Sequence, residues 1–278
     1  MNVINLHFTN CCNYGCIYCF AKSNINEKEL SFDECKSVVN RIKDYFEENN
    51  IDDGRINLVG GEPLISPFIN ELIDYCFNKK IKVSIVTNGS LLTKEFIERN
   101  KNKLYMIGIS IDSLNEETNE KIGRCCKNKN LNIVQLIEIC KLIKDCGIKL
   151  KVNTVISKFN VHEDFVDFYN DIMPDKVKIF QMSIVKDVNE NARQFQLSNE
   201  EYENFCNRHK GDNVFFETQE DMQNSYLMID CFGNFAVNDK GKYRIFGSIL
   251  TNDLSTLINN SNFDNSKFDK RYGGVNNV

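Results

Sequence analysis

Residues 3–20 read VINLHFTNCCNYGCIYCF. The first seven alternate apolar and polar side chains, the period-two pattern of a β-strand with two unlike faces. Four cysteines then follow within nine residues, and Cys12, Cys16 and Cys19 form C-x3-C-x2-C. A strand running straight into a thiol-rich loop places those thiols at the carboxyl edge of a sheet, where α/β folds bind their ligands. Three thiolates fit three corners of a cubane iron–sulfur cluster, which usually takes four. A structural zinc site is the alternative, but His7, His162 and His209 do not offer its usual spacing. Cys11 adjoins Cys12 and points elsewhere.

The same strand-then-helix unit recurs along the chain. Strands are expected over 3–9, 55–59, 82–88, 105–112, 149–157 and 176–184. Helices are expected from SFDE, a capping box of Ser31 and Glu34, and in SPFINELIDYCFNKK, LTKEFIERNKN, NIVQLIEICKLIKDCG and HEDFVDFYNDIM. Gly147 is placed to end the fourth of these helices. Six such units imply a parallel α/β sheet, which either a partial barrel or a flat doubly wound sheet satisfies.

Strand faces discriminate between the two. One set is apolar: Ile4/Leu6/Phe8, Ile56/Leu58, Val83/Ile85, Ile107/Ile109/Ile111, Leu150/Val152/Ile156 and Val177/Ile179. The other set is Asn5/His7/Thr9, Arg55/Asn57, Ser84/Asn88, Ser110/Asp112, Lys151/Asn153 and Lys176/Lys178. A closed barrel fills its interior with Val, Ile and Leu. Bases, amides and hydroxyls across the six strands instead predict a partial (βα)6 barrel lining a cavity for a polar, anionic ligand, with a half-solvated sheet as the alternative. The core is expected over 1–190. Residues 191–278 are expected to form an extension of the same domain that closes one side. It should hold a second capping box (Ser198, Glu201), the strand-like pieces NVFFET, SYLMID and GNFAV, and a loosely ordered last twenty residues.

Composition sets bounds. The 278 residues are 42% hydrophobic with a net charge of −5, describing a globular protein that global electrostatics would not draw onto nucleic acid or an anionic membrane. No secretion signal or apolar run of spanning length is visible, which points to the reducing cytoplasm and to metal binding over disulfides. Cys35, Cys76, Cys140, Cys146, Cys206 and Cys231 read as small buried hydrophobes. Cys125 and Cys126 have no account.

The cysteine loop ending in Phe20, together with GGEP at Gly60 to Pro63, resembles the radical S-adenosylmethionine (SAM) enzymes. NLHFTNCCNYGCIYCF, INLVGGEPLI, VSIVTNGSLL, ISIDSLNEETNEKIGR, KVNTVISKFNVHED, KVKIFQ and NSYLMID together are similar to the viperins, a family of antiviral nucleotide-modifying enzymes. The resemblance implies a [4Fe–4S] cluster on Cys12, Cys16 and Cys19 with one iron open to SAM. It implies SAM contacts at Phe20, Gly60, Gly61, Glu62, Asn88, Ser110 and Arg124. It further implies a nucleotide held by Asn5, Arg55, Asn57, Lys151, Asn153, Lys176 and Lys178, with Tyr226 donating a proton or hydrogen. The implied reaction dehydrates a ribonucleoside triphosphate (CTP, UTP or GTP) to its 3′-deoxy-3′,4′-didehydro form, a terminator of viral RNA synthesis, after a 5′-deoxyadenosyl radical takes the C4′ hydrogen. A flavodoxin- or ferredoxin-like electron donor and the iron–sulfur assembly machinery are the implied partners. Arg55 stands where the family usually has lysine. The family's vertebrate members carry an amphipathic membrane helix and a terminal tryptophan that are not seen here, so no lipid binding is expected. A radical enzyme acting on a peptide, and a non-catalytic iron–sulfur or nucleotide-binding redox sensor, are the rival readings.

Overall fold

The computed structural model describes residues 1–21, 27–126 and 132–272. Its strands are β1 (Val3–Thr9), β2 (Arg55–Gly60), β3 (Lys82–Thr87), β4 (Leu104–Ser110), β5 (Lys149–Ile156), β6 (Lys176–Gln181), β7 (Val214–Glu217), β8 (Met228–Ile229), β9 (Asn234–Asp239) and β10 (Lys242–Ser248). They form one sheet in the order β10-β9-β8-β1-β2-β3-β4-β5-β6-β7. Every pairing from β8 through β1 to β7 is parallel, while β9 and β10 run antiparallel. The six expected strands are present, each within a few residues of its expected end.

The apolar strand set lies under helices. Ile4, Leu6, Ile56, Leu58, Val83, Ile85, Ile107, Ile109, Leu150, Val152, Val177 and Ile179 are wholly buried. Over them pack α1 (Phe32–Glu48), α2 (Ile69–Asn78), α3 (Lys94–Asn100), α5 (Ile133–Asp145), α6 (Val166–Ile172) and α7 (Asn199–Arg208), while a short α4 (Glu116–Lys121) lies between β4 and α5 in the chain. Their inward stripes include Val38, Val39 and Ile42 on α1, Leu72 and Ile73 on α2, and Tyr202 and Phe205 on α7. Both expected capping boxes form, at Ser31/Glu34 and Ser198/Glu201. Gly147 follows α5 at φ +73° with nothing within 4 Å of where a Cβ would stand, so it is there for its backbone conformation alone.

Three expectations change. The chain after residue 190 reaches both edges of the sheet and not one side alone. It adds β7 beside β6 and β8–β10 beside β1, so both edges are extended. β10 and α4 were not expected. β10 carries alternating residues but is half exposed, and α4 has no buried residue, so neither leaves a strong hydrophobic signature. The last twenty residues are not uniformly loose: after α8 (Gln219–Met222) and α9 (Leu254–Asn259), α10 spans Asn265–Tyr272. Asp264 accepts from the Lys267 amide at its start, and Phe268 is 2% exposed. Local polarity masked one anchoring aromatic. The tail from residue 273 lies outside the described residues.

Curvature of the sheet is visible at its ends. Glu217 on β7 accepts from Tyr226, two residues before β8 on the far side of β1. Elements that far apart in sheet order meet only if the parallel array curls into a partial barrel.

Candidate functional site

The carboxyl edge of the barrel gathers the cysteine loop and the elements that hold it. The Gly15 and Ile17 amides donate to the Gly123 and Ile122 carbonyls, at 2.9 and 3.0 Å. The amides of Gly61 and Glu62 donate to the Thr9 and Cys11 carbonyls, at 2.8 and 2.7 Å. A Cβ on Gly60 would lie 2.0 Å from the Thr9 oxygen, and one on Gly61 2.0 Å from the Cys11 oxygen. Two glycines are therefore what lets the second βα loop lie against the cysteine loop. Glu62 is wholly buried: one carboxylate oxygen accepts from the Leu64 amide and the Thr87 hydroxyl, the other from the Asn88 amide. That carboxylate ties GGEP to TNGS. Asn88 in turn donates to Asn13 of the cysteine loop at 2.8 Å.

Asp112 is a hub that the sequence reading placed on the polar face without giving it a role. Its Oδ2 accepts from Arg124 Nη1 at 2.7 Å and from the Tyr18 hydroxyl at 3.0 Å, while Oδ1 accepts from the Val155 amide at 2.7 Å. Arg124 also donates to the Ser110 carbonyl at 2.6 Å and stands 3.7 Å from Cys16 Sγ. The guanidinium thus bridges the end of β4 and the cysteine loop. Phe20 is exposed, with its ring edge-on to His7 at 6.2 Å. Burial lowers the His7 pKa to about 4, so that imidazole is neutral at pH 7.

Cys12 is exposed, and Cys16 and Cys19 are half-buried. Burial pushes the Cys16 thiol up to about 12, against the pull of Arg124. Among the described residues no group of three His, Cys, Asp or Glu side chains converges as a site for a single ion. A zinc ion, with bonds of about 2.3 Å, would draw its thiolates to within about 4 Å of one another. Three thiols on one loop, with the Arg124 guanidinium beside Cys16, suit an anionic cluster with an open position.

Deeper in the barrel the polar strand set lines a narrow cleft that opens to solvent. Arg55, Asn57, Ser84, Lys151, Lys176 and Lys178 supply its polar lining. Asn5 joins it through Asn57 at 2.8 Å. Asn153 lies in register with Ser110 and Lys178, and its Oδ1 is buried without a partner. Burial and the charges of Lys178 and Lys176 hold the Lys151 pKa well below the ordinary lysine value. Lys178 is ion-paired to Glu217, which also accepts from the Tyr226 hydroxyl; Lys178 stands 3.4 Å from that hydroxyl. Glu217 was missed in the sequence because FFET shows a lone carboxylate at a strand end, with no spacing that marks it.

Comparisons with known proteins agree with this arrangement. Residues 6–172 match the Radical SAM superfamily. The chain is 34% identical to an S-adenosylmethionine-dependent nucleotide dehydratase of Flammeovirga pacifica, over 97% of this chain and 94% of that one. It is 32% identical to one from Oncorhynchus mykiss, over 97% and 79%. Among solved structures, native anSMEcpe with bound AdoMet superposes with a TM-score of 0.67 at 16% identity, over 96% of this chain and 84% of that one. Streptococcus suis SuiB bound to S-adenosylmethionine gives 0.65 at 17%, over 96% and 67%, a likeness of fold alone. The chain is therefore a radical SAM enzyme, with the [4Fe–4S] cluster and SAM of that superfamily, and belongs to the S-adenosylmethionine-dependent nucleotide dehydratases.

Proposed function

We propose that this enzyme removes the elements of water from the ribose of a ribonucleoside triphosphate (CTP, UTP or GTP), giving the 3′-deoxy-3′,4′-didehydro nucleotide, a terminator of viral RNA synthesis. The observation that carries the reading is the charge of the cleft. Three lysines and an arginine converge there, and Glu217 is ion-paired to Lys178. Lys151 is driven toward its neutral form when no anion is present. Like charges gathered in a buried site are unfavourable by themselves and favourable around a polyphosphate. Arg55 opens β2 and Gly60 ends it, so about 16 Å of strand separates the deep bases from the cysteine edge. An extended nucleotide spans that length with its phosphates deep and its sugar toward the thiols.

In this reading Cys12, Cys16 and Cys19 hold the cluster. The main chain at Gly60 and Gly61, with Phe20, Asn88, Ser110 and Arg124, orients SAM, and Glu62 fixes the loop that presents those glycines. Held there, the reduced cluster and SAM would supply the 5′-deoxyadenosyl radical chemistry that removes the C4′ hydrogen. Arg55, Lys151, Lys176 and Lys178 hold the phosphates. Asn5, Asn57 and Asn153 meet the sugar and base with amide donors and acceptors. Tyr226 delivers the proton or hydrogen as the 3′-hydroxyl departs as water, and one further electron from a flavodoxin- or ferredoxin-like donor completes the alkene. The test is anaerobic turnover of reconstituted enzyme with SAM, reductant and each NTP in turn. A product lighter than its NTP by one water, formed with 5′-deoxyadenosine, is expected. 5′-Deoxyadenosine without such a product refutes the assignment.

A further inference from the structure

Beneath the cleft, at the amino-terminal edge of the strands, a second group of cations surrounds one tyrosine. The pairing of β3 with β4 shifts between Val83↔Leu104 and Ser84↔Met106, which leaves Tyr105 as an extra residue. A bulge of this kind re-aims a side chain. Here the ring of Tyr105 has Arg55 Cζ at 5.3 Å, Lys82 Nζ at 5.4 Å and Lys149 Nζ at 4.9 Å from its centroid. Lys149 also donates to the Tyr105 hydroxyl at 3.2 Å. Among the described residues, none of the three cations has a carboxylate within ion-pairing distance. A second observation points to a ligand. Ser84 is 3% exposed with its Oγ buried and unpartnered, and Arg55 Nε is likewise buried and unpartnered. Both line the cleft above, so floor and cleft are continuous.

We propose that this floor is the seat of the nucleotide's terminal phosphate, and that Lys82, Lys149 and Ser84 set the preference for triphosphates over shorter nucleotides. The proposal rests on the nucleotide reading above and extends it to residues that reading does not use. Charge supports it. Lys151, Lys176 and Lys178 face one part of a triphosphate, which carries roughly −4. Arg55, Lys82 and Lys149 bring the remaining positive charge to the far end, where the doubly ionised terminal phosphate would sit. Ser84 Oγ and Arg55 Nε are then the two buried donors that the phosphate oxygens satisfy.

The test is calorimetric binding of CTP, CDP and CMP to the full-length, cluster-reconstituted protein without SAM. It compares wild type, Lys82→Met/Lys149→Met and Ser84→Ala. The double variant should lose at least tenfold in CTP affinity while CMP affinity stays unchanged, so that the triphosphate-to-monophosphate ratio collapses. Ser84→Ala should lower the same ratio by a smaller factor with no fall in Tm, because it removes a hydroxyl that has no partner in the empty protein. An unchanged ratio in both variants, or an equal loss for all three nucleotides, overturns the floor site while leaving the nucleotide assignment standing. Failure of wild type to bind CTP, UTP and GTP alike overturns both.

Discussion

Replacing Asp112 with asparagine probes the hub beneath the cysteine loop. The carboxylate is 2% exposed and takes three donors: Arg124, the Tyr18 hydroxyl and the Val155 amide. An asparagine amide presents NH2 on one side, so in either orientation at least one donor faces a donor. The Arg124 side chain, 10% exposed, also loses its counter-charge. Breaking a buried ion pair on one side costs about 3–5 kcal/mol. At about 2–4 °C per kcal/mol for a chain of this size, Tm should fall by roughly 6–20 °C. Tyr18 lies between Cys16 and Cys19, so the loop should shift with it, and a displacement of about 1 Å is enough to cost roughly a hundredfold in rate. Differential scanning calorimetry, iron and sulfide content per chain, and the rate of 5′-deoxyadenosine formation read the three effects separately. Adding Arg124→Met to Asp112→Asn should recover much of the lost Tm without recovering activity, because it removes the orphaned charge. A Tm within about 2 °C of wild type, with full iron content, would refute the reasoning.

Gly61→Ala puts a methyl 2.0 Å from the Cys11 carbonyl oxygen, so the GGEP loop must withdraw from the cysteine loop. A loss of about 1–3 kcal/mol and weakened cluster retention are expected by calorimetry and iron analysis. Gly147→Ala, with nothing near its Cβ, should cost only about 1–2 kcal/mol and leave cluster and turnover intact. Glu217→Gln strips Lys178 of its counter-charge and should lower the Tm of the empty protein by the equivalent of about 3–5 kcal/mol. CTP should then raise Tm more in the variant than in wild type, since phosphate replaces the missing charge. Lys151 has a pKa lowered in the folded state, so the unfolded chain binds more protons between that value and the ordinary lysine value, and stability rises with pH across that window. Lys151→Met should remove that rise in thermal scans across pH and increase the Tm of the empty protein within that window.

Some of this was legible in the linear order of residues because its physics is local. Period-two alternation, capping boxes and the thiol spacing depend on neighbours a few positions apart, and they located the six core strands and the cysteine loop. The inward parity of Arg55, Lys151, Lys176 and Lys178 followed from the same periodicity, and those side chains do share one cleft. What escaped depends on pairs far apart in the chain. Asp112 meets Tyr18 across 94 residues and Glu217 meets Lys178 across 39. The charge of Glu217 gained a purpose only when the sheet curled and brought β7 against the approach to β8. Tyr105 joined the floor because a one-residue register shift turned it there. Local sequence thus settled which side chains face the barrel interior, since backbone geometry alone enforces that choice. Tertiary structure decided which of them touch, since burial converts distant charges and unpaired hydroxyls into partners that must be satisfied.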